Sequence, residues 1–329
     1  MPSPFAIGVD AGGTKVQGLL VDTQSGEVLD RQVVGTPAED AEASLEAIIA
    51  VARELMGSTD GVRAIGVGAA GMVDMNGVMR FAPNVAWRDA PIRDRVRSAT
   101  GLVTVVDNDA NTAAWGEFRY GAGIGSGDML LVTVGTGIGG GVVTGGRLLQ
   151  GAHGFAGEIG HIIVEPGGPR CGCGNRGCWE QVASGRALDR LGREAAQRQP
   201  ESTLANMADG DPQKVDGRLV AAAAQAGDPV AVHVLREVGR RLGEGIAGLV
   251  NVLDPDVVVV GGGVADVGDL LLNPAREAFE DAVEAPRFRP KVPIVPAKLG
   301  NDAGAIGAAG LAELEIEDRE EHRGKAFTG

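Results

Sequence analysis

FAIGVDAGGTKVQGLLVD, Phe5 to Asp22, is an apolar run broken once by Asp10-Ala11-Gly12-Gly13-Thr14-Lys15 and then resumed, the pattern of strand, tight glycine turn and strand. The figure returns in MLLVTVGTGIGGGVVT, Met129 to Thr144, where Gly135 to Gly141 makes the break and Val142-Val143-Thr144 the returning strand. Two such units, one opening each half of a 329-residue chain, predict a duplicated α/β architecture in two domains. Gly135, Gly137 and Gly140 also match G-x-G-x-x-G. A dinucleotide fold needs a helix after that turn, and β-branched residues follow instead, which argues against a nicotinamide-dependent dehydrogenase. No G-x-x-x-x-G-K-[ST] run occurs, so a P-loop enzyme has no support.

Outward from these turns, Leu45, Ile48, Ala52 and Leu55 recur at helical spacing within Ala41 to Met56, and Ala64 to Ala69 reads as a strand. Pro91 to Ala99 reads as a helix, and Val103 to Val106 as a strand running into Asp107-Asn108-Asp109-Ala110-Asn111 and a further helix. A first domain over 1–120 is expected to close near Tyr120, with Gly121 to Gly127 as linker material before a second domain over 121–300. There, Asp228-Pro229 starts a long helix toward Leu253, followed by the buried-type strand Val257 to Val260 and Gly261-Gly262-Gly263. A helix over 301–314 and a charged, frayed tail over 315–329 complete the expected order.

Glycine supplies 53 residues and aromatics only 3% of the chain, so backbone must approach ligands or other backbone often. Backbone N–H groups in the two hairpin turns and in the Gly261 to Gly263 turn suit phosphate oxygens, and Asp10 at a strand end suits Mg²⁺, directly or through water. Lys15 reads as a solvated turn residue. A net charge of −14 works against nucleic acid and against anionic membranes, and no apolar run approaches a membrane span. The N-terminal residues lack the pattern of a signal peptide, so a cytoplasmic protein is expected. All three cysteines fall in Cys171-Gly172-Cys173-Gly174-Asn175-Arg176-Gly177-Cys178, with His161 ten residues upstream. Three thiolates and one imidazole complete a tetrahedral zinc shell with no open position, which predicts structural Zn²⁺ in a loop over 161–178.

Asp10-x-Gly12-Gly13-Thr14-Lys15, Asn108-Asp109-Ala110-Asn111, Gly135-Thr136-Gly137-Ile138-Gly139, Gly157-Glu158-Ile159-Gly160-His161 and the cysteine run ending in Glu180 together resemble the ROK sugar kinases, their ATP-dependent glucokinases most of all. The resemblance runs in order from Ala6 to about Gly310. It implies an actin-like ATPase (ribonuclease H-like) fold of two α/β domains around a cleft, with sugar in the cleft, ATP mainly on the second domain, and the last helix packed back on the first. It implies Asp109 as catalytic base, and Asn108, Glu158, His161 and Glu180 as sugar-contacting residues, with Asn84 a looser candidate. Gly12, Gly13 and Thr14, with Asp10 and Lys15 beside them, and Gly135, Thr136 and Gly137 fall on the phosphate side; Gly262 and Gly263 fall on the adenosine side. His161, Cys171, Cys173 and Cys178 are the implied zinc ligands. A homodimer or homotetramer is expected from the same source.

The function that follows is ATP- and Mg²⁺-dependent phosphorylation of glucose to glucose 6-phosphate. Mannose, fructose or an N-acetylhexosamine as acceptor, polyphosphate as donor, and a non-catalytic sugar-sensing regulator are the competing readings. Repressors of the family carry an N-terminal helix-turn-helix, for which a first strand at Phe5 leaves no room. The alternative role for Asp109 is a helix N-cap. For Glu158 and Glu180 it is that of a surface carboxylate.

Overall fold

The computed structural model describes the backbone of residues 4–326 and the side chains of residues 4–320. In chain order the elements are β1 (Phe5–Ala11), β2 (Lys15–Asp22), β3 (Val28–Gly35), α1 (Ala41–Met56), β4 (Val62–Ala69), β5 (Met72–Val73), β6 (Met79–Phe81), β7 (Arg88–Ala90), α2 (Ile92–Thr100), β8 (Val103–Asn108) and α3 (Asp109–Tyr120). There follow β9 (Met129–Val134), β10 (Ile138–Thr144), β11 (Arg147–Leu148), α4 (Glu180–Ala183), α5 (Gly185–Arg198), α6 (Thr203–Met207), α7 (Gly217–Gln225) and α8 (Pro229–Leu253). Then come β12 (Val257–Gly261), α9 (Asp269–Ala282), β13 (Ile294–Pro296) and α10 (Ala303–Ala326).

The two large sheets have the orders β3-β2-β1-β4-β8 and β11-β10-β9-β12-β13. Each is third, second, first, fourth, fifth strand of its own set, so the repeat expected from the glycine turns is a repeat of topology. Residues cluster into a first unit, Met1–Gly127, Gly141–Gly157 and Ala297–Gly329, and a second, Asp128–Gly140 and Glu158–Pro296. The sequence reading places single boundaries after residues 120 and 300, whereas the chain changes unit at four places. One reason is Gly141, where a Cβ would stand 2.5 Å from the Ala114 Cβ and 3.0 Å from the Ala110 carbonyl, so the strand lies directly on α3. Residues 121–127 belong with the first unit and are held there by Glu117, whose fully buried carboxylate accepts the Ala122, Lys298 and Leu299 N–H groups.

In the first unit β1 and β2 are antiparallel, while β4 and β8 run parallel to β1, with Asp10 opposite Gly68 and Ala69 opposite Asn108. Asp10 and Asn108 therefore share the C-terminal edge of the parallel strands, where open α/β sheets carry their sites. Alternation along β1 sends Ile7 and Val9 into the core with Leu45, Ile48 and Leu55 of α1, and Ala6 into a second core with Ala305 and Ala309 of α10. On that second face a Cβ at Gly8 would meet the Ala305 carbonyl oxygen at 1.7 Å and one at Gly66 the Ala308 oxygen at 1.8 Å, so only glycine lets the helix lie on the sheet. β5, β6 and β7 form a small third sheet.

Helix starts are set by local side chains. Asp40 accepts from the Glu42 and Ala43 N–H groups at α1, and Asp228 caps α8 with Pro229 in its first turn. The last helix departs from expectation: it does not stop at Leu314 but continues to Ala326. Arg63 pairs with Glu313 at 2.8 Å and Glu320 at 2.6 Å, and Arg319 with Glu315 at 2.7 Å, so the charges that read as a frayed tail pin and support a helix.

In the second unit Val258 of β12 lies between Leu130 of β9 and Ile294 of β13, all parallel, which accounts for the uniformly apolar run Val257 to Val260. Val238, Leu242 and Ile246 of α8 and Leu271 and Ala275 of α9 are buried. Among the described residues no helix is long and apolar enough to cross a membrane.

Candidate functional site

The end of β8 divides its polar residues among separate tasks. Asn108 caps α3, its Oδ1 accepting the Ala110 N–H at 2.8 Å and the Asn111 N–H at 3.2 Å, while its Nδ2 donates to the Gly71 carbonyl at 3.0 Å. Asp107 is buried and accepts from the Asn108 N–H, from Asn111 Nδ2 at 2.8 Å and from Gln150 Nε2 at 2.6 Å. The capping role weighed for Asp109 thus falls to Asn108, whose Nδ2 has a second proton beyond the one given to Gly71. Burial pushes the Asp109 carboxyl above the usual range, and does the same to Asp107 against its hydrogen bonds.

Asp10 stands at the end of β1. Burial first, and the charge of Asp109 second, push its carboxyl up to about 6 against the pull of Lys15. Gly304 in the first turn of α10 lies against it, with room for a Cβ only 3.3 Å from the carboxyl carbon. The Gly12 to Lys15 turn closes on itself through Gly12 N–H to Lys15 O at 3.1 Å and is tied to the end of β3, where Thr36 Oγ1 donates to Gly12 O at 2.7 Å. Asn84, exposed in its loop, packs on this turn: a Cβ at Gly13 would meet the Asn84 Cβ at 2.8 Å. Lys15 begins β2 rather than sitting within the turn, and its Nζ donates to Gln17 Oε1 at 2.6 Å.

In the second unit Thr136 and its neighbours form a turn on which α5 begins, with Gly185 N–H donating to Gly135 O at 2.8 Å. Gly262, at φ +88°, brings the third glycine turn against the end of β9, where a Cβ would meet Val134 O at 2.6 Å; Gly263 follows it in open space. Glu180 is buried, and its Oε2 lies where a Cβ on Gly137 would be, 2.4 Å away. The surface-carboxylate alternative therefore fails for Glu180, while Glu158, at 46% exposure, stays accessible with its Oε2 3.9 Å from His161 Nε2.

Ligand atoms of His161, Cys171, Cys173 and Cys178 all lie within 4.8 Å of one another. Cys173 Sγ and Cys178 Sγ are 3.6 Å apart, and so are Cys171 Sγ and His161 Nδ1. A tetrahedron with ~2.3 Å Zn–S bonds has edges of about 3.8 Å, so four such donors fit zinc. The sulfurs are free thiols. The loop turns through Gly174 at φ +97° and Gly177 at φ +72°, and a Cβ on Gly177 would strike Glu165 O at 1.7 Å. Burial, helped by the Glu180 carboxylate 3.1 Å away, pushes the Cys171 thiol up to about 12. Cys173 is held low, burial notwithstanding, by the Asn175 N–H and its neighbouring thiols.

Two contributors escape a reading of the sequence. Asp107 was legible as a carboxylate beside Asp109 but not as its scaffold, and Gln150 carries no local signal, since it meets Asp107 across 43 positions.

Residues 6–315 match the ROK family. The chain is 43% identical to a glucokinase of Streptomyces coelicolor over 94% of this chain and 97% of that one. Among solved structures, a ROK family glucokinase from Streptomyces griseus in complex with glucose and AMPPNP superposes with a TM-score of 0.84 at 45% identity, covering 94% of this chain and 99% of that one. A ROK family transcriptional regulator superposes at 0.83 with 28% identity, covering 93% of this chain and 76% of its own.

Proposed function

The chain belongs to the ROK family, and from that premise we propose that it is an ATP-dependent glucokinase, forming glucose 6-phosphate with Asp109 as general base. Phosphoryl transfer asks little covalent work of a protein: in-line placement, charge neutralisation and a group to take the hydroxyl proton as oxygen attacks. The observation that carries the reading is the division of labour at the end of β8. Asn108 caps, Asp107 braces, and Asp109 remains beside them with a carboxyl that burial makes a stronger proton acceptor. In the transfer the sugar O6–H bond breaks toward Asp109, the O6–Pγ bond forms, and the bond from Pγ to the bridging oxygen of ADP breaks.

Asn84, Asn108, Glu158, His161 and Glu180 are proposed to hold the sugar hydroxyls. Gly12, Gly13, Thr14, Gly135, Thr136 and Gly137 are proposed on the phosphates, and Gly262 and Gly263 on the adenosine. Mg²⁺, bound directly or through water by Asp10, would neutralise charge on the transferring phosphates. His161, Cys171, Cys173 and Cys178 would hold Zn²⁺ in a closed shell, which supplies order to the loop bearing Glu180. A buried sugar hydroxyl left unpaired costs about 1–3 kcal/mol, so fixing Glu180 bears directly on affinity. Assembly as a homodimer or homotetramer in the cytoplasm is proposed with the rest. ADP release measured across a panel of hexoses, with Asp109→Asn beside the wild type, tests the reading: it fails if glucose is not the preferred acceptor or if the variant keeps full activity.

A further inference from the structure

The four candidate zinc ligands all lie within residues 161–178, so bonds to a metal would order that loop internally but tie it to nothing beyond itself. Glu180 follows two residues after Cys178, and the hydrogen-bond partners of its carboxylate, Gln181 Nε2 at 3.0 Å and Cys171 Sγ at 3.1 Å, belong to the same stretch of chain. Between Cys178 and Glu180 stands Trp179, fully buried. Its backbone reaches both ways: its N–H donates to Ile162 O at 2.9 Å, beside His161, and its carbonyl accepts the Val182 and Ala183 N–H groups at 3.0 and 3.1 Å, as the N-cap of the α4 turn that Glu180 begins. Its side chain leaves the loop altogether. The indole Nε1–H donates to the Arg241 carbonyl at 3.0 Å, inside α8 and 62 positions away in the chain.

In the helical ladder that carbonyl takes the Gly245 N–H, and its second lone pair can take another donor. The indole reaches it because residue 245 has no side chain. A Cβ there would stand 2.1 Å from Trp179 Cε2, 2.3 Å from Nε1 and 2.5 Å from Cζ2. Glycine is among the poorest helix formers, so its place inside the 25-residue α8 calls for a compensating contact, and the indole is that contact. The helix is fixed from its other side as well. Gly243, about 200° around the axis from Gly245, lets α9 approach, since a Cβ at Gly243 would meet Ala275 O at 2.1 Å. Glu165 of the loop also reaches α8, through Arg241 Nη2 at 3.8 Å, but both side chains of that pair are partly solvated and it is worth little.

We propose that Trp179 is a positioning residue for sugar binding: its indole, seated on Gly245, docks the loop on α8 and so sets where the Glu180 carboxylate stands, which rests on the sugar-holding role given to Glu180 above. Zinc would shape the loop, whereas Trp179 places it. Loss of the indole contact is therefore expected to displace the carboxylate while the metal shell stays whole.

Gly245→Ala is the sharpest probe, because it changes neither the loop nor any proposed ligand. Its methyl carbon would force the indole back by more than about 1 Å to reach ordinary contact distance. Glucose KM is expected to rise about tenfold, with kcat at saturating glucose and ATP KM within twofold, and with zinc per chain, read by metal analysis, at the wild-type level. A defect confined to folding would instead lower kcat, through the fraction of active protein, and leave KM alone. Trp179→Phe keeps a ring and drops the N–H; it is expected to raise glucose KM about threefold, and it carries the test if the alanine variant does not fold. On a Trp179→Leu background Gly245→Ala is expected to add less than about twofold, and a further tenfold rise there overturns the contact. Glu180→Gln separates the role of Trp179 from the role it rests on. If Glu180→Gln raises glucose KM while Gly245→Ala and Trp179→Phe leave it within twofold, Trp179 positions nothing and the proposal is overturned with the sugar role of Glu180 intact. If Glu180→Gln leaves glucose KM unchanged, the sugar role itself falls and takes the proposal with it. Zinc lost from Gly245→Ala in step with the KM rise also overturns it, since the indole would then act through the metal shell.

Discussion

Asp109 and Glu180 are both carboxylates held against protein, yet the two are held in different ways. Asp109 stands at the end of β8 in a setting that the polypeptide completes itself, through the Asn108 cap and the three hydrogen bonds to Asp107. Glu180 follows a loop whose turns are glycines and whose four ligand atoms converge with no covalent link among them. A charge in the first place is fixed by backbone and amide dipoles, whereas the second place, with the zinc proposed above, would rely on a cation to hold thiolates together. The difference predicts separable failures: chemistry lost without loss of binding on one side, and binding lost with the loop on the other.

The largest effect tests the first side. Asp109→Asn is expected to lower kcat by ~10²–10⁴-fold with glucose KM nearly unchanged, measured by coupled ADP release. A KM rise of similar size would erase the distinction. Next, Cys173→Ser, or removal of zinc by a chelator, is expected to raise glucose KM by ~10–100-fold and to expose the remaining thiols to a thiol reagent. Unchanged sugar affinity in the metal-free protein would show that Glu180 is ordered without the ion.

A third variant separates carboxylate from metal. The Cβ in Gly137→Ala would collide with Glu180 Oε2, so glucose KM is expected to rise by roughly tenfold while zinc content stays at wild-type level. The last effect is on stability rather than on turnover. The Asp10 carboxyl titrates near 6 in the folded chain against 3.8 otherwise, so its charge opposes folding. Below pH 3.8 that cost is absent, it grows between 3.8 and about 6, and above 6 it is complete. Asp10→Asn is therefore expected to match the wild type in acid and to gain on the order of 2–3 kcal/mol at neutral pH, read by denaturant titration. Equal stability at both pH values would place Asp10 in water.

What the sequence revealed follows the range of the interactions. The helix over Ala41 to Met56 was legible because its apolar stripe is local, and the metal cluster because three of its ligands fall within eight residues. The topology repeat was legible from two glycine turns. Glu117 was not, since its partners Lys298 and Leu299 lie across the chain, and neither was the continuation of α10, since Glu320 reads as solvated until Arg63 is placed beside it. The Gly141 contact that moves residues 141–157 into the first unit likewise depends on α3 being there to meet it.

The close seat of α10 on Gly8 and Gly66 also sets an order of assembly. Strands β1 and β4 are made early, but the face they share stays uncovered until Ala305 and Ala308 have been synthesised. Some 183 residues separate the end of α3 at Tyr120 from the start of α10 at Ala303, which at 5–20 residues per second is roughly ten to forty seconds of translation. Over that interval the nascent chain carries an open apolar sheet while the second unit, whose residues all precede Ala297, is free to fold. The first half of the polypeptide to leave the ribosome is thus the last to be finished.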